Sequence, residues 1–166
     1  MNKKNVLIVA VLSSLFLVLG ACGDDDGSDD VETTATTDSY IAASQNYQSW
    51  SPLGDGEIMM GDSPHGNVVT YANDAAMDTI ADESYPFPEG AILVKEGYGD
   101  ATSGDPAVLN IMGKESDGEW YWIQTNTDWE LHNGVQGDVE MCTSCHGAAS
   151  GTDGVFVDAY DIQPAE

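Results

Sequence analysis

Apolar positions recur along this chain with two periods. Tyr40, Ala43, Tyr47 and Trp50 stand three or four apart after Asp38, a residue suited to an N-cap, and predict a short amphipathic helix. Ser51-Pro52-Leu53-Gly54-Asp55-Gly56 ends it. Residues 67–72, 91–96, 107–112 and 119–124 are rich in β-branched, aromatic and aliphatic side chains and predict four strands. Between the first two, Asn73 or Asp74 caps a second short helix carrying Ala76, Met77 and Ile80, which closes before Pro86. The stretch Asn133 to Glu140 passes through Gly134 and Gly137 into a late helical segment, and Val155-Phe156-Val157 predicts a short last strand. Strands joined by turns pair antiparallel, so the expected fold class is α+β: mainly antiparallel β-sheet with short packing helices and a C-terminal helical segment.

The first residues follow another logic. Lys3 and Lys4 precede an apolar run from Val6 to Leu19, interrupted by Ser13 and Ser14, and the run ends in Leu19-Gly20-Ala21-Cys22. Small residues before a cysteine are the pattern of a bacterial lipoprotein cleavage site, so residues 1–21 read as a signal peptide and Cys22 as the lipidated residue. The run is short for a full membrane span. Gly23, rather than Asp, after that cysteine favours the periplasmic face of the outer membrane or the cell surface. Residues 22–38, opening with an aspartate-rich run, read as an acidic disordered tether, and residues 39–166 as one folded domain.

Charge narrows the partners. Four basic residues stand against 29 acidic ones, for a formal net charge of −25. Without Lys3 and Lys4 the chain keeps only Lys95 and Lys114 as cations and has no arginine. Such a surface repels nucleic acid and anionic headgroups, so any membrane attachment comes from the lipid.

The chemistry concentrates in Cys142-Thr143-Ser144-Cys145-His146. On a helical turn both cysteines share a face and His146 follows one turn after Cys142. Two thiols so spaced can add to one porphyrin edge while the imidazole takes the iron, which is the c-type haem pattern. A structural zinc site needs about four ligands, and Cys22 is remote. A thioredoxin-like pair expects a βαβ context that the pattern lacks, and a disulfide leaves His146 unexplained. One covalent haem c on Cys142, Cys145 and His146, with His146 as the metal ligand, is the reading these residues favour. It agrees with export, because such attachment takes place outside the bacterial cytoplasmic membrane.

Lys95 is the other unusual residue. Strand alternation sets it on the face of Ala91 and Leu93, where desolvation would make its amine more nucleophilic, while a lysine that snorkels to solvent or pairs with Glu96 is the plainer reading. Met59, Met60, Met77, Met112, His65 and His132 are all candidates for a sixth iron ligand. The methionines are expected to fill core gaps, His65 to be a structural or surface residue of its turn, and His132 to be solvated.

Tyr47-Gln48-Ser49-Trp50, His65-Gly66, Tyr71-Ala72-Asn73, Phe87-Pro88-Glu89-Gly90 leading to Val94-Lys95-Glu96, Lys114, Trp120-Tyr121-Trp122 and CxxCH stand in the order seen in the cytochrome P-460 family. The chain resembles that family from about Tyr47 to His146. The resemblance implies a mostly antiparallel β fold, a homodimer, and one c-type haem with five-coordinate iron and an accessible distal face. In the cytochromes P-460 proper, a lysine matching Lys95 is bonded to the porphyrin and hydroxylamine is oxidised. In the relatives called cytochrome c-prime-beta that bond is missing, and nitric oxide or carbon monoxide binds behind an apolar cap. The distal carboxylate of the oxidising enzymes aligns with Asn110, whose amide cannot act as a carboxylate base. Two functions follow as expectations: a redox enzyme acting on a small nitrogen compound, with Lys95 and Asn110 at the site, or a gas-binding or electron-transfer cytochrome served by a redox partner.

Overall fold

The computed structural model of the protein describes residues 28–61 and 64–160. The expected signal peptide and Cys22 lie outside the described residues. Six strands form one sheet in chain order, each antiparallel to its neighbours: β1 (Ser51–Pro52), β2 (Val68–Ala72), β3 (Ile92–Gly97), β4 (Val108–Lys114), β5 (Trp120–Thr125) and β6 (Leu131–Gly137). The four expected strands are β2 to β5, and the α+β class holds. β1 and β6 add one strand at each edge. β6 reads Leu-His-Asn-Gly-Val-Gln-Gly, with no apolar alternation to announce it, and Asn133 and Gly134 carry positive φ within it. Pairing with β5 makes it a strand, from Trp122 opposite Gly137 to Thr125 opposite Leu131, with an irregular register between.

Three helices pack around the sheet: α1 (Ser28–Ser44), α2 (Asp74–Ala81) and α3 (Glu140–His146). α2 is capped as expected, with Asn73 Oδ1 accepting from the Ala76 amide at 3.1 Å and also from the Ile92 amide at 3.0 Å, which ties the helix start to β3. α1 corrects the expectation at both ends. It begins at Ser28, inside the stretch expected to be a disordered tether, and stops at Ser44, so Tyr47 belongs to a separate 3₁₀ turn (Tyr47–Ser49) and Trp50 follows it. Long-range bonds hold it: buried Thr37 Oγ1 lies 2.7 Å from Tyr121 Oη and donates to Gln136 Oε1 at 3.0 Å. The expected strand at 155–157 is absent. Local bonds from Val155 N to Thr152 O and from Val157 N to Val155 O use those amides, and Val157–Tyr160 forms a 3₁₀ turn.

Strand alternation divides the core in two. On one face Tyr47, Ile92, Val94, Leu109, Ile111 and Ile123 pack under α1, with Tyr40 lying so close to Gly113 that a Cβ there would overlap its ring. On the other face Leu93, Met112 and Trp122 sit side by side in register and pack with Phe87, Trp120 and Val155. Two residues further along each strand on that second face, Thr70, Lys95, Asn110 and Gln124 form a polar row across four strands.

Candidate functional site

α3 stands over the second face, at the edge of a cavity of about 230 Å³ between helix and sheet. The polar row Thr70, Lys95, Asn110 and Gln124 lines one part of it, and Leu93, Met112, Trp122 and Val155 make another part apolar. Cys142, Cys145 and His146 all border the cavity from α3. Both thiols are free, Cys142 half-buried and Cys145 exposed. Burial pushes the Cys142 thiol up, with Cys145 adding to the effect.

His146 is 8% exposed and its ring orientation is fixed. Nδ1 lies 2.7 Å from the Gly154 carbonyl, so Nδ1 carries the proton and Nε2 keeps its lone pair. The Trp122 ring at 4.6 Å and the Phe156 ring at 5.4 Å, measured between centroids, hold it from the sides. Burial lowers its pKa, the Gly154 bond opposes that, and the Lys95 charge lowers it further.

The Gly154 carbonyl is itself held. Asp153, the residue before it, takes the Lys114 ammonium at 2.8 Å, and its backbone carbonyl accepts from Trp120 Nε1 at 2.7 Å. Lys114 and Trp120 are opposite one another on β4 and β5. The sheet thus reaches the imidazole through Asp153 and Gly154. Nothing in the spacing of the chain announced this link, although Lys114 is one of only two cations beyond the first few residues.

Lys95 lies in the cavity wall as strand alternation requires. It is half-buried, and burial lowers its pKa. Its charge acts on both His146 and His65, so all three share one space. Asn110, opposite Lys95, donates to the Lys95 carbonyl at 3.4 Å and accepts from Gln124 Nε2 at 2.7 Å. His65 is where expectation and structure part. Instead of facing outward from its turn, it lines the cavity, with its ring centroid 6.4 Å from that of His146. Burial first, then the charges of Lys95 and His146, lower its pKa to about 4, so it is neutral at ordinary pH. Of the candidate methionines, Met112 is in the core and borders the cavity, while Met60 is 73% exposed.

A porphyrin suits this donor set. Two free thiols and an imidazole with a committed tautomer border one mostly apolar space, and the buried Nε1 of Trp122 in its wall has no hydrogen-bond partner, as a donor awaiting an acidic group on a ligand would. The class so defined is that of the c-type haem proteins. Residues 44–157 match the Cytochrome P460 family, and the chain belongs to it. Membership carries haem c binding and makes the protein a haem c cytochrome. No curated protein matches the chain.

Proposed function

We propose that this is an exported, lipid-anchored cytochrome with a single haem bonded to Cys142 and Cys145 and ligated by His146, which binds or oxidises a small nitrogen compound of the hydroxylamine or nitric oxide class. The observation that carries the reading is the polar row facing His146 across an otherwise apolar cavity. When bound, the haem supplies a redox-active iron able to take a small ligand. The chain does the rest. Gly154 holds the His146 proton on Nδ1, which leaves the Nε2 lone pair available as the nitrogen that would ligate the iron. Lys95 brings a cation and a nucleophilic amine to the cavity, a candidate for a bond to the porphyrin edge. Asn110 and Gln124 offer amide groups that orient a bound ligand without removing its proton. Leu93, Met112 and Val155 keep water out of the inner wall.

Export and anchoring at Cys22 rest on the first 22 residues. Docking of a redox partner and pairing of two copies are part of the same proposal, by analogy with the family. An amide at position 110 in place of a carboxylate favours a second reading, a gas-binding or electron-transfer cytochrome without turnover. Absorption spectra of oxidised and reduced holoprotein, peptide masses across Cys142 to His146, and hydroxylamine turnover test the two together. Attached haem with turnover supports the first reading, attached haem with nitric oxide or carbon monoxide binding alone supports the second, and a colourless protein from a host competent in cytochrome maturation sinks both.

A further inference from the structure

We propose that the mouth of the haem cavity beside α3 is the docking surface for a cationic electron-transfer protein, which seats on Met141 and Phe156 and takes electrons there one at a time. The proposal gives the redox reading above a partner and a place, and it rests on the haem being attached at Cys142 and Cys145.

Exposed apolar side chains mark the place. Among the described residues, four large apolar side chains stand exposed, Met60, Leu131, Met141 and Phe156, and the last two both border the cavity. Met141 is 71% exposed and directly precedes Cys142 on α3. Phe156 is 38% exposed, with its ring centroid 5.4 Å from that of His146. Cys145 is exposed on the same helix, so a haem bonded to it comes to the surface at this rim. A small apolar patch with a polar rim is the kind of surface that brief electron-transfer encounters use. The imidazole assigned to the iron is one ring contact from the patch, which leaves an electron little protein to cross.

Charge selects the occupant. Asp138 and Glu140 lead into Met141, Asp158 follows Phe156, and all three acids are exposed. No lysine or arginine is exposed among the described residues: Lys114 is buried against Asp153, and Lys95 is half-buried in the cavity wall. An anionic lipid surface, a nucleic acid or a second copy of this chain, with its formal charge of −25, brings like charge to the rim. A redox protein that surrounds its own apolar contact with lysines brings the opposite charge, which speeds encounter and fixes orientation. One electron passes to the partner's oxidised metal centre, and no bond forms or breaks.

The test uses holoprotein whose haem attachment is confirmed by peptide mass. Mixing the reduced form with an oxidised, lysine-rich cytochrome c should give a second-order rate that falls at least about tenfold between about 10 mM and 300 mM salt. An acidic cytochrome c of similar potential should react at least about tenfold more slowly at low salt. Overall charge alone would produce both results, so the variants locate the contact. At about 0.1 M salt only charges within about 10 Å of one another act, and there Glu140→Lys and Asp158→Lys should each slow the reaction about three- to tenfold. Asp38→Lys, the same change of charge on α1 across the sheet, should alter the rate less than about 1.5-fold. Met141→Gln should slow the reaction about threefold and leave its salt dependence unchanged. The absorption spectrum and reduction potential of each variant check that its haem environment is intact. Equal effects of Asp38→Lys and Glu140→Lys, or a wild-type rate in Met141→Gln, overturn the proposal. So does a dimer in sedimentation that Met141→Gln dissociates, because the face then belongs to a second copy. Each of these outcomes leaves the haem attachment standing, whereas a protein without attached haem overturns that reading together with this one.

Discussion

Lys114 and Asp153 form an ion pair at 2.8 Å beneath the imidazole of His146. Lys114 is 2% exposed and Asp153 21%. The pair is closed on several sides: Lys114 also donates to Asp153 Oδ1 at 3.0 Å, the Phe87 amide donates to Oδ2 at 2.9 Å, and the Trp120 ring lies 4.8 Å from the ammonium. Removing one member of a buried pair leaves the other charge uncompensated. Lys114→Met should therefore destabilise the holoprotein by about 2–3 kcal/mol, short of the fully buried case because Asp153 reaches water. It should also weaken the bond from His146 Nδ1 to Gly154, make the imidazole less electron-donating, and raise the iron's reduction potential. Urea denaturation and a redox titration check the two outcomes separately.

Lys95 is expected to be bonded to the porphyrin. Joining its amine nitrogen to a ring carbon removes one hydrogen from each, a two-electron oxidation for which a peroxide or dioxygen is the required oxidant, so the product contains the haem peptide and the Lys95 peptide less two hydrogen atoms. Proteolysis of holoprotein followed by mass measurement should give that joined species, and Lys95→Arg should abolish it, because a guanidinium stays charged and is a poor nucleophile. A Lys95 peptide recovered free of the haem peptide ends the idea.

The sheet was legible because its four inner strands are buried on at least one face and must repeat with a period of two. The same alternation put Lys95 on the cavity side beside Leu93, where it stands. β6 was not legible. Its Asn133 and Gly134 adopt left-handed backbone that no strand pattern contains, and only hydrogen bonding to β5 holds it in the sheet. α1 was misread for a related reason. Low hydrophobicity argued for disorder up to Asp38, but Thr37 bonds to Tyr121 and Gln136, residues far along the chain. At the site, the CxxCH spacing was enough to put Cys142, Cys145 and His146 on one helical segment, and all three border the cavity. The link from Lys114 through Asp153 and Gly154 to His146, and the inward turn of His65, depend on tertiary contacts that residue spacing does not encode.

Position 110 offers a test between turnover and binding alone. An amide opposite Lys95 can orient a ligand but cannot accept its proton. Asn110→Glu places a carboxylate on the polar row within reach of Gln124, and a positioned base is worth about 10²-fold or more. Hydroxylamine oxidation should rise towards that factor over wild type in steady-state assays. An unchanged rate, with haem content and fold intact, would show that proton removal is not limiting.

Alkaline stability should be set on the face of the sheet away from the cavity. Buried Glu96 accepts from Tyr47 Oη at 2.5 Å, Tyr98 Oη at 2.7 Å and Gln48 Nε2 at 3.3 Å. Burial first, then the bond to Glu96 and its charge, raises both tyrosine pKa values, and burial with nearby acidic residues pushes Tyr40 up to about 12. A tyrosine that keeps its proton in the fold above its unfolded value of about 10 contributes stability that is complete below pH 10. As the pH rises from about 10 towards 12 the unfolded chain loses protons that the folded chain retains, and that stability is lost. Urea midpoints should fall steeply over this window even at high salt, where the repulsion among exposed charges is screened. Tyr47→Phe should cost about 1.5–3 kcal/mol at neutral pH, because Glu96 loses a donor, and make the fall shallower, because one titrating group has gone. An equal slope in the variant would mean that the alkaline transition lies elsewhere.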